Sequence, residues 1–415
     1  MHVVIFEGNQ WPSFAPVALG RPVFMLATGM ATLLEKQIRH TNPSRLTLWV
    51  REELAELVRQ RIVPKLKVPV DVNTPLDGQP ALILSGRTLH FRNYQVPEQP
   101  AVVLDENKLV HSAYVRDMAG LSPHDALHRT ERWLKITQLP SMPPQTRMVE
   151  RLWDLIKWNE ESLIEDHAHA HRGKSTLPKG PFHVIDDEQV WIGPDANVFP
   201  GAVLDGSRGP VAVDHHATIG PNAVLQGPCY IGPYAQVMPL AIVRPGTSIG
   251  MMCRVGGEIS NTIMFGYSNK VHEGYVGDSY VGKWVNFGAG TTAANLKNTY
   301  GEISVATRSG AVKTGRRFLG SLVGDHSKTA VGTRLMPGAY LGFNALVAVS
   351  GLAPRLVPSY TFLTDKGAAP YDMDEAIQVQ KSVFARRNRG WDDLDVYIST
   401  YISKVAPTVE PELTA

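Results

Sequence analysis

Only two cysteines, Cys229 and Cys253, occur in 415 residues. They cannot build a disulfide framework or a four-thiolate metal site, so both are expected as small buried residues in a reducing cytoplasm. Long apolar runs are missing too, since none approaches the ~20 residues that a membrane span requires. The N-terminal MHVVIFEGNQ lacks the basic segment and extended apolar core of a signal peptide. Charge of one sign is also absent: 41 Lys and Arg face 39 Asp and Glu, and the resulting +2 gives no general argument for nucleic acid or membrane partners. Charged residues are sparse at 19%, yet 43% of the chain is hydrophobic, which excludes disorder and permits a sizeable core. What is plentiful is glycine and proline, 36 and 30 residues, about 16% where roughly 12% is usual.

Composition changes near residue 180. Upstream, strand-like and helix-like segments alternate, as in an α/β domain. Val3 to Phe6, Leu46 to Val50, Ala81 to Leu84 and Ala101 to Leu104 read as strands, and Met30 to Ile38 and Glu52 to Ile62 as helices. Residues 1–145 form this domain, and residues 146–182 form a helical arm, from about Met148 to Ile164, followed by a polar linker. His167, His169 and His171 fall in that linker as HAHAH; no acidic or cysteine partner stands at ligand spacing, so an exposed linker is preferred over metal capture.

Beyond the linker a six-residue period takes over. Val213, Ile219, Leu225, Ile231, Val237, Val243, Ile249 and Val255 follow one another at that interval. The phase then slips by two and resumes at Ile263, Val281 and Phe287. A third run contains Val323, Thr329, Leu335, Leu341 and Val347. Such a period is that of a parallel β-helix with three short strands per coil of about 18 residues, the aliphatic residue pointing inward and Gly or Asn relieving the corner. It accounts for much of the glycine and proline excess. Residues 183–365 are assigned to the β-helix and 366–415 to a C-terminal tail with a helix from Tyr371 to Ala385.

Residues 266–301, GYSNKVHEGYVGDSYVGKWVNFGAGTTAANLKNTYG, interrupt the repeat with polar side chains that a plain coil does not need. This segment resembles the acetyltransferase domain of the bifunctional enzyme that makes UDP-N-acetylglucosamine. With GGE, GYSNK-x-H, WVN-x-GAGT and LKN-x-YG together, it is more similar still to the GlmU-like sugar nucleotidyltransferases. The resemblance implies a left-handed β-helix, a homotrimer, and transfer of an acetyl group from acetyl-CoA to an amino-sugar phosphate. His272 matches the family's general base, a role suited to imidazole. Arg244, Tyr275 and Asn286 match positions that contact the acceptor, with Lys270, Asn295 and Lys297 as further candidates. The backbone at Ala289 and the side chain of Ser321 match acyl-CoA contacts. Arg316, Arg317, Lys328, Arg386, Arg387 and Arg389 are candidates for CoA phosphates. The chain departs from the bifunctional enzyme at Ser260, where a phosphate-binding lysine is expected, and at Leu296, where a tyrosine is.

The N-terminal domain lacks the glycine-rich signature of sugar nucleotidyltransferases but resembles the divergent domain of the GlmU-like branch, in RPV, LLEK and ALILSGRTL. That resemblance implies joining of an NTP to a sugar 1-phosphate. Gly8, Arg21 and Lys36 are the candidate nucleotide contacts, and Asp105, after the strand AVVL, is the candidate Mg²⁺ ligand. Three other readings stay open: a β-helix that only trimerises or regulates, a degenerate N-terminal domain beside a working acyltransferase, and a carbonic anhydrase-like metal site from His215, His216 and His272. No nucleic acid and no membrane partner is expected.

Overall fold

A computed structural model describes residues 1–170 and 180–412. The chain folds into two compact units, one made of residues 1–14, 20–26 and 31–151, the other of residues 15–19, 27–30 and 152–415.

The first unit is built on a six-stranded sheet: β1 (His2–Phe6), β2 (Arg45–Trp49), β3 (Val70–Val72), β4 (Ala81–Ser85), β5 (Ala101–Leu104) and β6 (Val110–Val115). Their spatial order is β3-β2-β1-β4-β6-β5. The first four are parallel and β6 runs antiparallel to both β4 and β5. Almost every side chain of β1 and β4 is buried, as expected of parallel strands covered on both faces, which therefore read as continuous apolar runs. Helix α1 (Leu33–Thr41) starts at Thr32, whose hydroxyl accepts from the Glu35 N–H while Glu35 reaches back to the Thr32 N–H. This capping box makes Leu33 the first helical residue, three residues after the start of the sequence-predicted helix. Helix α2 (Glu52–Arg61) lies where its apolar spacing puts it. The strands β3 and β6 and the short helices α3 (Pro123–His128) and α4 (Glu131–Ile136) were not identified from sequence.

The second unit is a parallel β-helix with three faces. Strands of the first face run from His183–Ile185 to Arg334–Leu335, of the second from Val190–Ile192 to Leu356–Val357, and of the third from Asn197–Val198 to Thr361–Thr364. Parallel register stacks Leu204, Leu225, Val243 and Ile259 on the first face, Val213, Ile231 and Ile249 on the second, and Ile219, Val237 and Val255 on the third. All these side chains lie in one buried core. The expected phase is corrected at one point. Ile249 pairs with Met264, fifteen residues on, whereas Ile231 pairs with Ile249 after eighteen. One coil is thus short by three residues, and Met264, not Ile263, continues the inward column. A longer interruption follows Ala293, where the chain leaves the coil to form the antiparallel hairpin of Ser304–Thr307 and Gly310–Lys313 before resuming at Leu322.

Helices α5 (Leu152–Lys157) and α6 (Asn159–Ala170) belong to this second unit. Asn159, fully buried, accepts from the Gly29 N–H at 2.6 Å and donates to the Gly246 carbonyl at 2.7 Å, while the Ser248 hydroxyl donates to the Gly29 carbonyl. Tyr280 Oη accepts from the Ala27 N–H and donates to its carbonyl. These bonds tie residues 27–30 and α6 to the second face. The expected linker is corrected accordingly: α6 continues to Ala170 and buries His167, because that helix has a solenoid face to cover. His171 lies outside the described residues. At the other end the sequence-predicted helix is α7 (Met373–Ala385), and a further one, α8 (Asp393–Val409), follows. Phe384 of α7 stacks on Trp284 of the solenoid, with ring centroids 4.3 Å apart.

Among the described residues, no helix is long and apolar enough to cross a membrane. Cys229 and Cys253 are free and buried, and burial pushes both thiols up to about 12.

Two buried histidines give the first unit a pH dependence. His90 shares a hydrogen bond of 3.1 Å with Thr88, and His111 one of 2.8 Å with Thr146. Burial lowers His90 to about 3 and His111 to about 4, from the usual 6.5. Between those values and 6.5 the unfolded chain binds more protons than the folded one, so stability rises with pH through that window and is lost as pH falls. Unfolding free energies measured between pH 6 and 5 should fall by up to about 1.4 kcal/mol per pH unit for each histidine. His90→Phe should remove about half of that slope, and an unchanged slope would contradict the assignment.

Candidate functional site

The short coil sets up the first candidate site. Lys270 pairs in register with Val255, so a lysine continues an inward column of aliphatic residues. It is 1% exposed. Its ammonium meets three main-chain carbonyls, donating to His272 at 2.6 Å, Glu273 at 3.0 Å and Gly256 at 3.3 Å. Burial lowers its pKa to about 8, which leaves it charged at neutral pH with all three bonds available. The carbonyls belong to the corner between the third and first faces, and His272 is carried on that corner with its side chain in solvent. Gly256 takes part in the same stacking, since a Cβ there would collide with the carbonyl oxygen of Val271.

The first face beside this corner bears a polar row. Arg244 Nε donates to Glu258 at 2.5 Å, and Glu258 pairs in register with Tyr275 one coil on. The Tyr275 hydroxyl accepts from Asn295 at 2.9 Å, and the same amide nitrogen donates to Asp278 at 2.6 Å. Asp278 accepts from Asn261 on its other oxygen, and the Arg316 guanidinium stands 3.7 Å away. Burial, reinforced by the Asp278 charge, raises the Tyr275 pKa above its ordinary value, so it presents a neutral phenol.

Of the residues singled out in the sequence, Arg244, Tyr275 and Asn295 therefore share one face and His272 flanks it. Ala289 lies on the same edge of the prism one coil further, between Asn286 on the third face and Thr292 on the first. Asn286 bridges Asn269 and Lys328 across the interrupted third face, and Asn269 in turn accepts from Arg387 at 2.7 Å. Lys297 donates to the Glu302 carbonyl. Lys328 donates to the His326 carbonyl, and burial lowers it to about 8. Ser321 is fully enclosed, its N–H donating to Ser279. Sequence reasoning missed Asp278 and Asn261. The aspartate of HEGYVGD was the available signal, because a carboxylate next to a tyrosine and an asparagine can organise both. His215 and His216 sit on the corner between the second and third faces, packed on Tyr234, with Asp214 2.7 Å from His215 Nδ1. They do not share a corner with His272, and among the described residues no three His, Cys, Asp or Glu side chains are grouped to hold a metal.

The second candidate site lies at the carboxyl end of β1. A cleft of about 270 Å³ is lined there by Glu7, Gly8, Trp49, Arg51, Asn73 and His124, among others. Gly8 has φ +71°, a conformation in which glycine turns the chain without strain. Glu7 is buried; it accepts from the N–H groups of Val23 and Arg51 and pairs with the Arg51 guanidinium at 3.2 Å. Burial nonetheless raises its pKa. Arg51 also lies 3.7 Å over the Trp11 ring and donates to the Arg21 carbonyl. Arg21 is buried at the rear of this network, and Lys36 on α1 is fully buried. Asp105 uses one oxygen to accept from the N–H groups of Asn107 and Leu109 and faces Arg87 with the other. Glu7 is paired with Arg51, and among the described residues no third acidic or histidine side chain groups with Glu7 or Asp105, so these residues do not fit a Mg²⁺ site, which needs several converging oxygen ligands.

Residues 3–175 match the sugar nucleotidyl transferase family. Over 248 residues the chain is 34% identical to the bifunctional protein GlmU of Methanocaldococcus jannaschii, covering 52% of this chain and 58% of that protein. It is 32% identical over 182 residues to the bifunctional sugar-1-phosphate nucleotidylyltransferase/acetyltransferase of Sulfurisphaera tokodaii, covering 42% of this chain and 45% of that one. A bifunctional protein GlmU of Methanococcus vannielii is 32% identical over 137 residues, covering 33% and 32%. The chain thus spans between about a third and somewhat over half of these relatives' lengths.

Replacing Lys270 with Ala should leave three carbonyls without their donor and open a cavity in the prism. Chemical denaturation should show a loss of about 3 kcal/mol from the unfolding free energy. An unaltered midpoint would mean that the lysine is not what holds this corner.

Proposed function

We propose that this chain, whose residues 3–175 match the sugar nucleotidyl transferase family and which is similar over part of its length to bifunctional GlmU proteins, transfers on its β-helix an acetyl group from acetyl-CoA to the amine of an amino-sugar 1-phosphate. The observation that carries this reading is the solvent-facing His272 beside the Arg244, Tyr275 and Asn295 row, on a corner held from inside by Lys270. A coil built only to stack or trimerise has no use for such a group.

In the proposed reaction the sugar amine attacks the thioester carbonyl and His272 accepts the proton it loses, which imidazole can do near neutral pH. The tetrahedral intermediate collapses with cleavage of the C–S bond, and the CoA thiolate leaves and takes up a proton. A main-chain N–H near Ala289 is the proposed donor to the oxyanion. Arg244 supplies charge to the sugar phosphate, exchanging its bond to Glu258 for one to the ligand. Tyr275 and Asn295 orient the sugar hydroxyls, with Asp278 fixing Asn295, which in turn holds Tyr275. Asn286 and Lys297, at the rims of this region, and the arginines of the C-terminal segment remain candidates for contacts to CoA or to the sugar. A homotrimer in the cytoplasm is the proposed working form, and the free, buried thiols suit a reducing compartment. The N-terminal domain is proposed to recognise a nucleotide or sugar nucleotide.

His272→Ala should lower kcat for acetyl transfer to glucosamine 1-phosphate by at least about 100-fold, with the melting temperature unchanged. Acetyl-CoA should raise the melting temperature of the wild-type protein by mass action. Unchanged turnover in the variant would overturn the role of His272. No transfer and no thermal shift in the wild type would favour a β-helix that only assembles or regulates.

A further inference from the structure

We propose that Arg254 and Arg387 hold a free oxyanion of the phosphate class between them on the third face of the β-helix, and that this anion fastens the segment after α7 to the solenoid. The site is separate from the polar row of the first face and does not depend on acetyl transfer.

On the third face Val255 enters the core, and Arg254 beside it turns outward, in register with Gln236 on one coil and Asn269 on the next. Arg387, just past the end of α7, comes to the same place: its Nη2 donates to Asn269 Oδ1 at 2.7 Å. Two guanidiniums thus flank one asparagine. Arg386 and Arg389 stand in the same segment, Arg389 lying 5.7 Å from the centre of the Tyr267 ring. Among the described residues none of these four arginines has a carboxylate within ion-pair distance. Arg254 Nε is buried with no hydrogen-bond partner, and so is the indole nitrogen of Trp391, which closes the segment by packing edge-on against Phe384.

Like charges crowded together without an acid repel one another, and a desolvated donor left unmet is costly. Burial, with the neighbouring Arg254 and Arg386 charges, holds the Arg387 guanidinium below its ordinary value. The carboxyl end of α7 favours cations nearby, but its last carbonyls are already used: those of Ser382, Phe384 and Ala385 accept from the N–H groups of residues 386–389. The guanidiniums are left to find a partner outside the chain. A carboxylate has only two oxygens, which one fork consumes, whereas a tetrahedral oxyanion offers oxygens to forks arriving from two elements. A phosphate therefore meets Arg254 from the strand and Arg387 from the segment after α7 together, and cancels the repulsion between them.

Calorimetric titration of the full chain with inorganic phosphate, in a chloride buffer at fixed ionic strength, tests this. Binding should have a Kd of about 1 mM or below, and Arg254→Met and Arg387→Met should each weaken it at least about tenfold. Arg208→Met, which makes the same change of charge at an exposed loop, should leave it unaltered. Phosphate should raise the melting temperature of the wild type and not of Arg254→Met. In chloride alone Arg254→Met should melt no lower than the wild type, because it removes a repulsion and an unmet donor, so its loss of binding cannot come from a loss of fold. Phosphate at about ten times its Kd should leave the affinity for CoA unchanged. Absence of binding, binding that survives both arginine variants, or equal weakening by Arg208→Met would overturn the proposal. Competition between phosphate and CoA would also overturn it, by assigning the two arginines to the acyl donor.

Discussion

The close stacking of coils at the prism corners is the constraint from which the rest of the β-helix follows. Successive corners approach so tightly that a Cβ at Gly256 would meet the next coil's main chain. Inside, the aliphatic columns of the three faces form one continuous core, and each coil is stable because its neighbours cover it. Such a scaffold is rigid where it is regular. A departure from regularity must be compensated locally, and each departure in this chain is accompanied by polar groups.

The fifteen-residue coil shows how. The corner after Val255 is short by two residues, four to the inward Ile259 where the corner before it takes six, and the carbonyls of Gly256 and, one coil on, His272 and Glu273 converge on Lys270 Nζ, which satisfies them. The corner after Lys270 carries His272 outward. An interior cation and an exterior imidazole thus share the corner stacked directly on the shortened one, which links the packing of the prism to the chemistry proposed on its surface. The hairpin inserted after Ala293 is the second departure; Asn295 at its root joins Tyr275 and Asp278 in the polar row.

The regular part of this arrangement is legible in the sequence because inward residues recur every six positions and each must be apolar. Val213 to Val255 obey that rule and all are buried. Legibility fails where the period breaks. Ile263 and Met264 are both buried and apolar, so nothing in their chemistry says which one faces the core, and register alone assigns Met264. Lys270 reads from sequence as a cation available to substrate, because a charged residue is seldom buried; only the three carbonyls explain its position. His167 reads as part of a polar linker, yet α6 has a solenoid face to cover. In the N-terminal domain, strands β1, β2, β4 and β5 announce themselves as apolar runs, whereas β3 is only partly buried and β6 carries the polar residues His111 and Ser112. Asp105 illustrates the limit for sites: its place after a strand is visible, but its pairing with Arg87 is a matter of tertiary distance.

The corner that carries His272 is the proposed place where an amino-sugar phosphate meets its acyl donor. A crystal structure of the protein with glucosamine 1-phosphate and CoA measures this directly. The sugar should lie along the first face against Tyr275 and Asn295, its phosphate on Arg244, and its amine within hydrogen-bonding distance of the His272 ring. A sugar bound on another face, or an amine that His272 cannot reach, would contradict it.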